Sequence, residues 1–226
     1  GKDIEKAFEA AKKAQPGWDK LGGVKRADVL RAMGQALEDN METLMALMSR
    51  EGGKTLADGV AEVREAVDFC RYYAHEAESH FNQPTRLPGP TGETNHLSLH
   101  GRGVFVCISP WNFPLAIFTG QIAAALAAGN AVVAKPAEQT SIIAFETVKL
   151  FLKAGLPKEL LHLLPGDGAT IGAPLTKHPD LGGVCFTGST ETIMDGQNLI
   201  DCLTMSLSAS SQYVPFYPWH QRAGAA

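Results

Sequence analysis

From Val104 onward the chain alternates short apolar runs with longer stretches of helical spacing, and this alternation constrains the fold more than any other feature. Val104-Phe105-Val106-Cys107-Ile108, Ala131-Val132-Val133-Ala134, residues 160–164 and Val184-Cys185-Phe186 predict buried strands. Residues 113–128, 141–154 and 169–177 predict the crossover helices between them. Strands joined in sequence by helices pair in parallel. The segment is therefore expected to be α/β, a doubly wound sheet that binds its ligand at the carboxyl ends of its strands.

Ahead of this segment, residues 2–81 carry apolar residues at spacings of three and four. Val29, Met33, Leu37, Leu44, Leu47 and Met48 predict one face of a long helix, with Arg31, Glu38 and Asp39 toward water. Val60, Val63, Val67 and Cys70 predict a second buried stripe. The proline- and glycine-punctuated run at 83–92 cannot continue a helix and marks a boundary. Alternation of polar and apolar residues at 94–100 predicts an exposed strand or hairpin. The expected organisation is a helical segment at 1–81, a linker and hairpin at 82–103, an α/β segment at 104–191 and a tail at 192–226 of different, serine- and aromatic-rich character.

With 226 residues, 45% hydrophobic and 19% charged, the chain has the composition of a globular protein that can bury a core. A formal net charge of −4 gives no electrostatic case for nucleic acid or an anionic membrane as partner. The longest apolar stretch, 113–128, is interrupted by Thr119-Gly120-Gln121 and is shorter than the roughly 20 residues of a membrane span. Cys70, Cys107, Cys185 and Cys202 lie far apart without a C-x-x-C pair, so neither a disulfide framework nor a zinc knuckle is expected. That usage, and an N-terminus without an apolar leader, predict a cytoplasmic location. Cys107 and Cys185, in apolar strands, are expected to be buried packing residues.

Chemistry concentrates where predicted strands end. Ser109-Pro110-Trp111-Asn112-Phe113-Pro114 follows the first strand, where an asparagine amide can support a developing oxyanion; the same residue could equally be a helix N-cap. Lys135-Pro136-Ala137-Glu138 ends the second strand on the same edge of the sheet. Its carboxylate could hold the hydroxyls of a ribose and repel an added phosphate, favouring NAD over NADP, although a solvated Lys-Glu pair is the ordinary reading of such neighbours. Pro165-Gly166-Asp167-Gly168 and Gly172 bracket a later turn where missing side chains permit close backbone approach. Phe186-Thr187-Gly188-Ser189-Thr190 could meet a pyrophosphate or simply cap a helix. No G-x-G-x-x-G occurs in the first turn, against a standard dinucleotide fold.

In this order and spacing S-P-W-N-F-P, K-P-A-E and F-T-G-S-T resemble the aldehyde dehydrogenase superfamily over about residues 1–191. Glu51-Gly52-Gly53-Lys54-Thr55-Leu56, the stretch from Glu62 to Phe69 and Leu87-Pro88-Gly89-Pro90-Thr91-Gly92-Glu93 are most similar to the dehydrogenase region of the bifunctional proline utilisation A proteins. The resemblance implies NAD-dependent oxidation of a small-molecule aldehyde, glutamate semialdehyde, to glutamate. It places the transition-state asparagine at Asn112, ribose contacts at Lys135 and Glu138, and the pyrophosphate contact at Ser189. Main-chain or packing contacts to NAD fall at Ile108, Ser109, Pro110, Trp111, Ala137, Gly168, Gly172, Phe186, Thr187 and Gly188. No metal is implied. Association as a homo-oligomer or with a full-length subunit is compatible with it.

Two elements of the family pattern do not occur in these 226 residues: the G-Q-x-C motif of the nucleophilic cysteine and the E-x-G-G motif of the glutamate that helps hydrolyse the thioester. Gly196-Gln197-Asn198-Leu199 has leucine in the cysteine's place, and Asp201 beside Cys202 disfavours a thiolate. A truncation or a shifted reading frame after Glu191 would explain the break, and would leave apolar surface exposed.

Overall fold

The computed structural model describes residues 1–189, and the tail, Cys202 and the 196–199 tetrapeptide lie outside them. Four helices come first: α1 (Lys2–Lys20), α2 (Gly23–Asp39), α3 (Met41–Gly52) and α4 (Leu56–Phe81). α1 buries Ile4, Ala7, Phe8, Ala11 and Trp18, a stripe at helical spacing. The single long helix expected across 29–48 is instead two. Asn40 leaves helical geometry at φ −114°, and its side-chain amide donates to the Ala36 carbonyl at 2.8 Å, offering the backbone an alternative to continuing the ladder. α3 stops at Gly53, whose φ of 65° lets Lys54 N–H return to the Met48 carbonyl at 3.3 Å. Thr55 starts α4 by accepting from Asp58 N–H. Of the predicted second stripe, Val63, Val67 and Cys70 are buried, whereas Val60 is exposed.

An exposed antiparallel hairpin follows, β1 (Thr85–Leu87) against β2 (Asn95–Leu97), so the run expected only as linker also supplies a strand. The remaining elements are β3 (Val104–Ile108), α5 (Ala116–Ala127), β4 (Ala131–Lys135), α6 (Ser141–Lys153), β5 (Leu161–Leu163), α7 (Ala173–Thr176) and β6 (Leu181–Phe186). The crossover helix expected over 169–177 is broken into a wide turn at Gly168–Gly172 and the single turn of α7. Pro174 cannot donate the hydrogen bond that would continue one into the other.

β3 to β6 form one parallel sheet in the order β5-β4-β3-β6. The chain steps outward from β3 through β4 to β5, then returns to the other flank of β3. The strand order therefore reverses between β3 and β6, and a crevice opens there at the carboxyl ends. β4 is buried at every residue and β3 at Val104, Val106 and Cys107, while each residue of the edge strand β6 is only half-buried. Cys185 is correspondingly half-buried, not enclosed as expected, because β6 has a neighbour on one side only among the described residues. One hydrophobic core runs from Phe8, Leu30 and Met33 through Val67 and Phe118 to Val132 and Phe151, fusing the helical segment to the sheet. Among the described residues no helix is long and apolar enough to cross a membrane, and no group of three or more His, Cys, Asp or Glu could hold a metal.

Candidate dinucleotide site

Register brings three strand ends level. Ile108 is the partner of Lys135 on one side and of Phe186 on the other. Two bonds extend the sheet one residue further: Ser109 N–H donates to the Lys135 carbonyl at 3.2 Å, and Thr187 N–H to the Ile108 carbonyl at 3.0 Å. Gln121, from the first half of α5, ties the switch point together by donating from Nε2 to both the Ile108 carbonyl and Thr187 Oγ1, each at 3.1 Å.

Above these ends lies a cleft of about 630 Å³ lined by Ile108 to Phe113, Ile117, Lys135, Ala137, Glu138, Gln139 and Phe186 to Ser189. Its size is that of an ordinary small-molecule site. The candidate residues Ile108, Ser109, Pro110, Trp111, Asn112, Lys135, Ala137, Glu138, Phe186, Thr187, Gly188 and Ser189 therefore meet in one place, though they come from three segments far apart in sequence. Gly168 and Gly172 do not line it. Gly168 opens the exposed turn capped by Asp167, and Gly172 is buried with room for a Cβ only 3.7 Å from the Lys135 side chain, so it packs against the stem of a cleft residue. Thr170 hydrogen bonds hold the Asp167 carboxyl below its usual range.

Lys135 is the charged centre of the cleft. Its residue is 6% exposed, and Nζ reaches the Pro136 carbonyl at 3.3 Å and Glu138 Oε1 at 3.4 Å. Both bonds are long for a charged donor. A buried ammonium with three donors gains from a further oxygen in the cleft, and the half-exposed Glu138 carboxylate beside it is an acceptor facing solvent. A vicinal diol satisfies both. On the β3 side Trp111 and Asn112 are exposed, so the Asn112 amide is available rather than consumed as a cap; α5 starts at Ala116, and its N-cap residue Leu115 has no capping side chain of its own.

The sequence reading missed Phe113, Ile117 and Gln139 as lining residues, and Gln121 and the helical segment as supports. Glu51, at the end of α3, accepts from Ile142 and Ile143 N–H at 2.7 and 2.9 Å, capping α6 just beyond Glu138. Glu62, in α4, accepts from Leu115 and Ala116 N–H at 2.8 and 3.2 Å, capping α5 just beyond Asn112. The sequence signal was present: an acid on a helix otherwise turned toward the core, as Glu62 is between Gly59, Val63 and Ala66.

The three thiols among the described residues differ. Burial pushes the Cys70 thiol up to about 12. Cys107 and Cys185 are register partners on β3 and β6 and share a hydrogen bond that raises Cys107 and favours the thiolate of Cys185. Timed alkylation with iodoacetamide, read by peptide mass, is expected to label Cys185 before Cys107 or Cys70; labelling of Cys107 first would contradict this arrangement.

The Aldehyde dehydrogenase family profile matches residues 1–203. The chain is 49% identical over 189 residues to the bifunctional protein PutA of Salmonella typhimurium, covering 84% of this chain and 13% of that one. It is 38% identical over 191 residues to the 1-pyrroline-5-carboxylate dehydrogenase of Anoxybacillus flavithermus, covering 84% of this chain and 37% of that one. A crystal structure of proline utilization A from Bradyrhizobium japonicum, mutant D779W, superimposes with a TM-score of 0.84 at 50% identity, over 94% of this chain and 21% of that one. An NADP dependent enzyme of E. coli superimposes equally well, TM-score 0.84, at 31% identity, over 91% of this chain and 42% of that one. The chain thus spans less than half the length of each of these relatives. Its parallel sheet, the strand-end motifs converging on one switch-point cleft and the match over residues 1–203 place the chain in the aldehyde dehydrogenase family.

Proposed function

We propose that the cleft binds NAD, and that the protein from which this sequence derives oxidises L-glutamate γ-semialdehyde to glutamate in proline breakdown. The observation that carries the first part is the buried Lys135 ammonium beside the half-exposed Glu138 carboxylate at the switch point. In this reading the two groups hold the hydroxyls of the adenosine ribose, Lys135 as donor and Glu138 as acceptor. The turn at 187–189, with the Ser189 hydroxyl, meets the pyrophosphate. Asn112, on the opposite wall, donates its amide to the oxygen that gains charge as the aldehyde is attacked. NAD, when bound, supplies the hydride acceptor. Similarity to PutA and to 1-pyrroline-5-carboxylate dehydrogenases supports the substrate.

For this chain by itself we propose binding without turnover. Oxidation requires a thiol nucleophile, and no cysteine among its 226 residues stands in the G-Q-x-C setting. Calorimetric titration with NAD, paired with an assay of NADH formation from glutamate semialdehyde, tests both parts. Saturable NAD binding without NADH is expected. Cysteine-dependent turnover would refute the non-catalytic reading, and absence of binding to folded protein would refute the site. Glu138 is further expected to favour NAD over NADP by at least about tenfold, since a ribose phosphate would face its carboxylate. Glu138→Ala should erase that preference; a preference that survives it would assign the discrimination elsewhere.

A further inference from the structure

We infer that the buried Lys54–Glu62 ion pair positions the Asn112 loop of the cleft; the inference rests on reading that cleft as the dinucleotide site. Glu62 is 2% exposed, yet it carries a charge into the interface between α4 and α5. Its Oε2 lies 2.8 Å from Lys54 Nζ, while Oε1 takes the Leu115 and Ala116 amides. These are among the first amides of α5, which have no acceptor inside the helix. Lys54 has a second engagement: Nζ stands 4.2 Å from the centroid of the Phe113 ring, and Phe113 lines the cleft next to Asn112.

The loop from Ser109 to Pro114 is thus held at both ends. At one end the Ser109 amide is bonded to β4 and Gln121 grips the Ile108 carbonyl. At the other the ion pair fixes the start of α5 through Glu62 and the Phe113 ring through Lys54. A helix that needed only a cap could use a local serine or asparagine at Leu115, without desolvating two charges. What the pair adds is a link from the helical segment to the residue beside Asn112, through two groups that share one geometry. Lys54 and Glu62 touch no cleft volume themselves and are positioning residues.

The test uses the purified chain labelled with 5-fluorotryptophan, in which the Trp111 fluorine resonance is assigned with Trp111→Phe. NAD affinity and this resonance are measured for Lys54→Met, Lys54→Arg and Glu62→Gln, at a temperature where circular dichroism shows each variant folded. Glu62→Gln keeps the shape and one acceptor oxygen, so it guards against a variant that simply fails to fold. The expected result is a shifted or broadened Trp111 resonance and about tenfold weaker NAD binding in Lys54→Met and Glu62→Gln, both largely restored in Lys54→Arg, which keeps the cation over the ring. Folded variants with an unmoved Trp111 resonance and the parent affinity overturn the inference. So does a fall in thermal stability alone, with the resonance unmoved. If the parent binds no NAD while the resonance still moves, the dinucleotide reading fails and the positioning role stands.

Discussion

Gly23→Ala is expected to destabilise the fold by about 3 kcal/mol, seen as a lower urea midpoint with unchanged slope. Gly23 opens α2, and a Cβ built there would lie 2.1 Å from the Ala77 carbonyl oxygen and 2.9 Å from the Phe81 carbonyl carbon. Both obstacles are backbone of α4, so no rotamer change can relieve them, and the two helices would have to separate. Their interface carries Ala27, Leu30, Met33 and Leu37 against Val67, Cys70, Ala74 and Ala77, all buried, so separation opens the centre of the helical core. Gly17→Ala provides the control. It sits in α1 with nothing within 4 Å of a new Cβ, and alanine there should be neutral or stabilising by up to about 1 kcal/mol. A cost below about 1 kcal/mol for Gly23→Ala would mean that α2 and α4 do not approach as closely as described.

Arg26→Ala is expected to cost more, about 3–5 kcal/mol, because it removes a buried cation on which several groups depend. The Arg26 residue is 1% exposed. Nε donates to the Ala127 carbonyl at 3.1 Å, and one terminal nitrogen to the Trp18 and Asp19 carbonyls at 3.3 and 2.7 Å. Those carbonyls end α5 and α1, so one guanidinium satisfies the C-termini of two helices and complements both dipoles. Asp19, 3.9 Å away, is a weak ion-pair partner, and the Phe81 ring lies 5.5 Å from the guanidinium carbon. Burial lowers the Arg26 pKa and Asp19 partly opposes this, but an arginine retains its charge throughout the accessible pH range. Alanine would take the Arg26 donor from the Ala127 carbonyl and leave the Trp18 and Asp19 carbonyls with only their turn bonds from Leu21 and Gly22 N–H. Arg26→Lys should recover little, since one ammonium cannot span two helix ends. Parent-like stability of the lysine variant would argue against the fork geometry.

Arg26 also illustrates what sequence periodicity leaves out. It occupies the buried stripe of α2 between Gly23, Ala27 and Leu30, where spacing predicts an apolar residue. The strands from 104 on, with the crossovers α5 and α6, were legible because burial within a parallel sheet writes itself as apolar runs of strand length: β3, β4, β5 and β6 all fall within or overlap the predicted runs. Breaks inside helices were less legible. Asn40 is an acceptable helix residue by propensity, and it ends α2 through a hydrogen bond to its own backbone neighbourhood.

The cleft divides in the same way. Residues 108–112, 135–138 and 186–189 were identified by type and by their place after predicted strands, and adjacent parallel strands must bring their carboxyl ends to one edge. What only the tertiary structure decided is which strands are neighbours. The order β5-β4-β3-β6 puts the 186–189 turn beside Asn112 and Lys135, and leaves the glycines of 168 and 172 outside the lining. It also decided that Glu51 and Glu62, dozens of residues earlier, cap the two helices that follow the site loops. Sequence determines the chemistry each segment can offer and the periodicity that buries it. A charge on a buried stripe acquires its partner only when helices distant in the chain meet, because desolvation makes that partner obligatory and gives it no fixed spacing in sequence.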